Sequence, residues 1–174
     1  MTKIMFLKLL IILIFVTTFL SSCSSYRLGN NKPVKYKNIE SIAVPIVQSD
    51  VLKPKLQSLV TNSIIRSIQE KGAFKIAKEK NSDATLNIKI INIERKQLRA
   101  SRENVLRTTE MEFIIEIEYR VLNNLNGVTI ERGNVKAKSS SYLNPNFQLT
   151  ENHSLRDAAE KLAISLANKL SEGY

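Results

Sequence analysis

The chain has 174 residues, with 26 Lys and Arg against 16 Asp and Glu, a formal charge of +10, one His, one Cys and no Trp. That length, with a hydrophobic fraction of 43%, suits one globular domain with a core. A single cysteine excludes an internal disulfide, and a single histidine leaves little room for Cys/His zinc sites or His-activated nucleophiles.

Lys3 and Lys8 flank a start that runs into Leu9–Val16 and then Thr17–Leu20, with no acidic residue before Cys23. The apolar run is about a dozen residues, short of the roughly 20 that span a bilayer, so residues 1–22 read as a cleaved export signal. Leu20-Ser21-Ser22-Cys23 has the form of the bacterial lipobox, an aliphatic residue and two small ones before a thiol that accepts a diacylglyceryl group. The other reading of Cys23 is an ordinary buried free cysteine. Cleavage before Cys23 leaves 152 residues and, with Lys3 and Lys8 gone, a charge of +8. Several acyl chains on one N-terminus anchor it firmly to a membrane, where one holds only marginally. Ser24 rather than Asp after the cysteine favours the outer membrane. An exported location sets nucleic acid aside as a partner despite the charge.

Residues 23–38 are polar and basic, with Asn30-Asn31 and Pro33, and read as the acylated N-terminus and a tether. Residues 39–174 form a single domain. Ile39 to Val47 alternates loosely and predicts a first strand, with Pro45 marking an edge or a bulge. Leu52, Leu56, Val60, Ile64 and Ile68 recur every fourth residue, which predicts a helix over about 53–71, with Pro54 in its first turn and Gly72 as its cap. Phe74-Lys75-Ile76 suits a strand fragment.

From Thr85 the alternation resumes through Leu86, Ile88 and Ile90. Its phase flips at Ile91 and Ile93, which calls for a bulge. A polar stretch runs on to Arg107. Thr108 to Val121 is the clearest strand, with Met111, Phe113, Ile115, Ile117, Tyr119 and Val121 on one face and Glu110, Glu112, Glu116, Glu118 and Arg120 on the other. At about 3.3 Å per residue it extends some 45 Å, so its far half is expected to project from the body. Asn123–Gly127 is a turn with Asn-Gly chemistry, and Val128 to Tyr142 returns as a strand. A second helix over about 152–171 aligns Leu155, Ala159, Leu162, Leu166 and Leu170. The expected fold is α+β, a two-layer sandwich of two helices packed on a mainly antiparallel sheet of about four strands, in the order β-α-β-β-β-α.

No catalytic constellation stands out. His153 lies at the polar start of a helix and reads as a surface or cap residue. Glu110, Glu112, Glu116 and Glu118 run in a row along one strand face, where chemistry needs groups converging from different elements. A solvated face, or one paired with basic residues of a neighbouring strand, accounts for them. With no Gly-rich phosphate loop and no paired cysteines, the reading is not an enzyme and needs no cofactor or metal. Ile64, Ile65, Ile114 and Ile164 sit at or beyond the edges of the apolar faces and read as exposed residues or as partner contacts.

Between Arg95 and Arg107 stand five basic residues and one acid, at the expected tip of a hairpin, with Leu98, Val105 and Leu106 among them. Arginine grips phosphate bidentately, so Arg99, Arg102 and Arg107, with Lys136 and Lys138 on the return strand, are candidates to meet a phosphorylated amphiphile. A solvated, charged loop is the alternative.

The order of these features resembles the LPS-assembly lipoprotein family, LptE. Members begin with a Cys-Gly-Tyr-His-Leu type segment; here Cys23 is followed by Tyr26, Leu28 and Gly29, with Arg27 for the His. Ile42-Ala43-Val44-Pro45, Leu59-Val60-Thr61, Gly72-Ala73-Phe74-Lys75-Ile76, Asp83-Ala84-Thr85-Leu86, Thr108-Thr109-Glu110, Tyr142-Leu143-Asn144-Pro145 and Ala158-Ala159-Glu160-Lys161-Leu162 follow in the family's order. The resemblance implies an outer-membrane lipoprotein that sits within and plugs a large β-barrel, an LptD-like partner, assists the barrel's assembly and contacts lipopolysaccharide. It also implies palmitate-type acylation on Cys23. Where enteric members carry a lysine soon after the Asn-Pro, this chain has Glu151. Lipoprotein activators of peptidoglycan synthases and curli-export lipoproteins have a similar topology and supply the alternative reading, although such activators usually need a tether longer than the one available here.

Overall fold

A computed structural model describes residues 32–51, 53–100, 108–143 and 145–173. The expected signal, Cys23, and Arg102 and Arg107 of the basic segment lie outside the described residues.

The chain runs β1 (Ser41–Ala43), β2 (Gln48–Ser49), α1 (Pro54–Lys71), β3 (Lys75–Ile76), β4 (Ala84–Ala100), β5 (Thr108–Asn123), β6 (Thr129–Tyr142) and α2 (Phe147–Glu172). Short 3-10 turns at Val34–Tyr36 and Glu79–Asn81 complete it. The helices pack on one face of a six-stranded mixed sheet in the order β3-β1-β4-β5-β6, with β2 beside β4. The two-layer α+β sandwich is thus as expected, with more strands than the four anticipated. The extra ones are two-residue pieces. Residues Val44–Val47, around Pro45, separate β1 from β2, so the first strand is split where proline withholds a ladder donor. β1 pairs parallel with β3 and β4, and α1 provides the crossover that a parallel β1–β3 pair requires.

The anticipated bulge is present: the β4–β5 register shifts between Ile90 and Asn92, leaving Ile91 as the extra residue. Leu86, Ile88 and Ile90 before it and Ile93 after it therefore all face the helices. From β5, Phe113, Ile115, Ile117, Tyr119 and Val121 point the same way and are buried. Against them lie Leu56, Val60, Ile64 and Ile68 of α1 and Leu155, Leu162, Leu166 and Leu170 of α2.

Several expectations need correction. Ile64 is fully buried, because it lies on the Val60–Ile68 face of α1 rather than at its edge. Ile114 is buried too, on the opposite sheet face and between its cross-strand neighbours Glu94 and Lys138, whose long stems shield apolar surface. Ile65 is half-buried and Ile164 is half exposed. Part of the supposed tether belongs to the core, since Tyr36 is fully buried and stacks edge-on against Phe74 at 5.5 Å. Pro33 leads into the short 3-10 turn at Val34–Tyr36 that carries Tyr36 into the core.

The second helix begins at Phe147, five residues earlier than its apolar periodicity indicates. Asn146 caps it, its side chain accepting a hydrogen bond from the Leu149 N–H at 3.2 Å. At 1.5 Å per residue the 26-residue helix spans about 39 Å. It consequently covers much of the long hairpin that was expected to project: Phe113 is still buried, and the rows between Met111 and Thr108 are only partly covered. No described helix is long and apolar enough to cross a membrane.

Candidate functional site

The β4–β5–β6 arm carries rows of charged side chains of both signs. β4 continues through the polar stretch to Ala100, so Arg95–Arg99 are strand residues and not part of a loop. Long antiparallel pairing with β5 supplies the backbone bonds that make this stretch a strand regardless of its polarity.

On the face away from the helices the four glutamates of β5 are matched one by one. Arg99 Nε lies 3.1 Å from Glu110, Lys138 Nζ 3.0 Å from Glu112, Lys136 Nζ 3.8 Å from Glu116 and Arg132 Nε 3.5 Å from Glu118. The expected paired face is the one observed. Three of the residues singled out for phosphate contact, Arg99, Lys136 and Lys138, therefore share one face, each against a carboxylate. Their side chains are 69, 52 and 71% exposed. Their partners Glu110, Glu116 and Glu112 are more covered, at 15, 28 and 14%, so the carboxylates sit against the sheet while the cations reach solvent and remain accessible to a phosphate. At the arm's end Leu98, Tyr142, Phe147 and Leu149 are exposed, and Leu143 N–H donates to Thr109 O at 2.8 Å to tie the end of β6 to the start of β5.

The inner face has an organised charge cluster that periodicity alone did not indicate. Lys53 Nζ, before α1, and Arg95 Nη2, from β4, both donate to Glu151 Oε1 of α2 at 2.5 Å. Glu151 is 7% exposed. Burial alone pushes its carboxyl up, but the Lys53 hydrogen bond and the two positive charges outweigh burial and hold it below the usual carboxylate range. The bulge at Ile91 is what makes this possible, since without it Arg95 faces the other side. Glu151 lies one helical turn before Leu155 on the same face, a position that foretells a buried acid. Beside the cluster, a groove of about 620 Å³ runs between the helices, floored by Leu56, Leu59 and Leu155 and rimmed by Lys53, Lys55 and Arg156.

A second, partly buried acid stands at the other end of the sheet. Glu131 accepts from the hydroxyls of Tyr36 and of Tyr119, the latter at 2.8 Å, and pairs with Lys35 at 2.8 Å. Burial raises its carboxyl, and the Lys35, Tyr36 and Tyr119 hydrogen bonds together reverse that and leave it lowered. Burial, reinforced by Glu131, raises both tyrosines. Its sequence signal is an acid in the inward phase of β6, in line with Gly133 and Val135.

His153 is exposed. Among the described residues no three His, Cys, Asp or Glu side chains are placed to hold a metal ion. The carboxylates of Glu110, Glu112, Glu116, Glu118, Glu131 and Glu151 are each held in an ion pair.

This two-helix, single-sheet sandwich is a fold found in bacterial proteins of little sequence likeness. A protein from Xanthomonas campestris superposes with a TM-score of 0.56 at 11% identity, over 76% of this chain and 85% of its own. An uncharacterized lipoprotein B from Nitrosomonas europaea gives 0.53 at 15% identity, over 86% of this chain and 92% of its own. A hypothetical protein from Chlamydia trachomatis gives 0.56 at 10% identity, over 76% and 96%. No curated protein sequence matches the chain. The lipopolysaccharide-assembly family LptE matches residues 39–170, which is nearly the whole domain, and the chain belongs to that family.

Proposed function

We propose that the protein is an outer-membrane lipoprotein, acylated at Cys23, that binds and plugs an LptD-like lipopolysaccharide-translocating barrel, assists the barrel's assembly and contacts lipopolysaccharide during its insertion. The observation that carries this reading is the family match over residues 39–170. The lipobox at Cys23 supports the anchor. For lipid contact, the support is the row of solvent-exposed cations Arg99, Lys136 and Lys138 on the outer face, with Arg102 and Arg107 close to Arg99 in sequence. The basic-rimmed apolar groove beside Glu151 has the same chemistry, cations over a greasy floor, and suits the same class of ligand.

Two experiments test the parts. In cells fed radiolabelled palmitate, the wild-type protein takes up label and Cys23→Ala does not; equal labelling of the two refutes the anchor. Replacing Arg99, Arg102 and Arg107 together by Glu is expected to weaken lipopolysaccharide binding by about tenfold or more, as charge-assisted phosphate contacts are lost. Unaltered binding of the folded triple variant leaves the segment as solvated charge.

A further inference from the structure

β6 is the last strand of the sheet, paired with β5 along one side and with no strand along the other among the described residues. One bond gives the direction of its backbone groups. Leu143 N–H donates to Thr109 O, so those two residues form a hydrogen-bonded pair, and along an antiparallel ladder such pairs alternate with pairs whose N–H and C=O groups point outward. The register runs without a shift from Glu110↔Tyr142 to Val121↔Glu131. The odd-numbered residues of β6 from Glu131 to Ser141 therefore bond β5, while Arg132, Asn134, Lys136, Lys138, Ser140 and Tyr142 turn their N–H and C=O to the open side. All six are exposed. At about 3.4 Å per residue this open edge runs about 34 Å.

A long open edge is a template for another strand, and proteins commonly blunt it with a proline, a bulge or charge. Between Glu131 and Tyr142 there is no proline and no shift of register. The charge is that of Arg132, Lys136 and Lys138, and it discriminates between occupants. When two copies of β6 meet antiparallel with their open residues in full overlap, Lys136 of each stands opposite Lys138 of the other, and like charges directly opposite destabilise a strand pair. A strand with acids at those positions gains from the same cations. The neighbouring strand already shows the match, since Glu118, Glu116 and Glu112 of β5 pair with Arg132, Lys136 and Lys138 from the other side.

We propose that the open edge of β6 takes an extended segment of the barrel partner as an added strand, with acids at alternate positions of that segment beside Arg132, Lys136 and Lys138. The proposal rests on the translocon reading and names the part of the partner that the domain grips. A closed barrel has no free strand edge to offer, so the segment is a loop or a terminal stretch that enters the lumen. Main-chain bonds supply the affinity of such an addition and alternate side chains its selectivity. The added strand lies in the plane of the sheet, about 4.8 Å beyond β6. Its carboxylates sit low beside the cations, as those of β5 do, and leave the cation tips open on the outer face.

Full-length protein carrying the photo-crosslinking residue p-benzoylphenylalanine in place of Asn134 or of Ser140 is irradiated in cells, purified in mild detergent and mapped by mass spectrometry. The two positions stand six residues apart on the open edge, so they are expected to join one stretch of the barrel protein at sites about six residues apart, with acids at alternate positions between them. Asn134→Pro removes one open N–H and spares the ladder to β5; it is expected to lower the Ser140 crosslink several-fold while circular dichroism shows the domain folded. The crosslink map stands whether or not that variant folds. A retained barrel with crosslinks on separate stretches, on lipid, on a second copy of this chain or on nothing overturns the strand addition and leaves the translocon reading intact. An unchanged Ser140 crosslink in folded Asn134→Pro overturns it as well. Recovery of no barrel overturns the translocon reading, and this occupant with it.

Discussion

Replacing Glu151 by Gln leaves Lys53 and Arg95 without the carboxylate that collects them. Because both cations are partly exposed and find water, the loss at pH 7 is expected to be about 1–2 kcal/mol, less than for a wholly buried pair. The pH dependence has a definite sign. The folded-state carboxyl of Glu151 lies below its ordinary value, so its contribution is complete above the unfolded value near 4.3 and is lost as pH falls through the lower folded value. Urea unfolding across pH 3–7 checks this: the gap between wild type and Glu151→Gln is predicted to be constant above about pH 5 and to close in acid. A gap independent of pH contradicts an ionised Glu151. Gly133 provides a second residue-scale test. A Cβ there meets the Tyr119 hydroxyl at 3.1 Å and its ring at 3.2–3.3 Å, and that hydroxyl is held in place by its bond to Glu131. Gly133→Ala is expected to cost about 1–2 kcal/mol by overpacking. Neither acid announces itself by composition. Each occupies an apolar-phase position, which points inward, but Lys53 and Arg95 for Glu151, and Lys35 and Tyr36 for Glu131, come from elements distant in sequence, which a one-dimensional pattern does not bring together.

Among the elements, those set by period and breaker residues were legible: α1 from its fourfold spacing and Gly72, the turn at Asn126-Gly127, and the bulge from the adjacent apolar residues Ile90 and Ile91. Two boundaries were not. β4 runs to Ala100 because β5 supplies its partner, and α2 begins at Phe147 because of a cap that outweighs a first turn without apolar periodicity. The cap is testable, since Asn146→Ala removes the bond to Leu149 N–H and is predicted to cost about 1 kcal/mol. The bulge offers a sharper test. Deleting Ile91 rotates the rest of β4 by one position, turning Arg95 out and Glu94 and Lys96 in toward the helices. That is expected to cost more than about 3 kcal/mol and to abolish the coupling between residues 95 and 151 in a double-mutant cycle. A near-neutral deletion contradicts the register.

For the whole molecule, the 26 basic residues have different duties. Two go with the expected signal, four on the outer face are matched to glutamates and two are collected by Glu151. This leaves a two-ended domain, with the Pro33–Gly173 contact and the β5–β6 turn at one end and a long charged arm at the other. The overall sandwich could be read from alternation and helical spacing, whereas its two-endedness follows from contacts between segments far apart in the chain. The central claim is that the arm-bearing domain belongs in an outer-membrane barrel. Its most direct test is affinity purification of the full-length protein from membranes in mild detergent, with mass spectrometry of what is retained. The account predicts a large LptD-like β-barrel in near-equal amount; recovery of a peptidoglycan synthase in its place contradicts it.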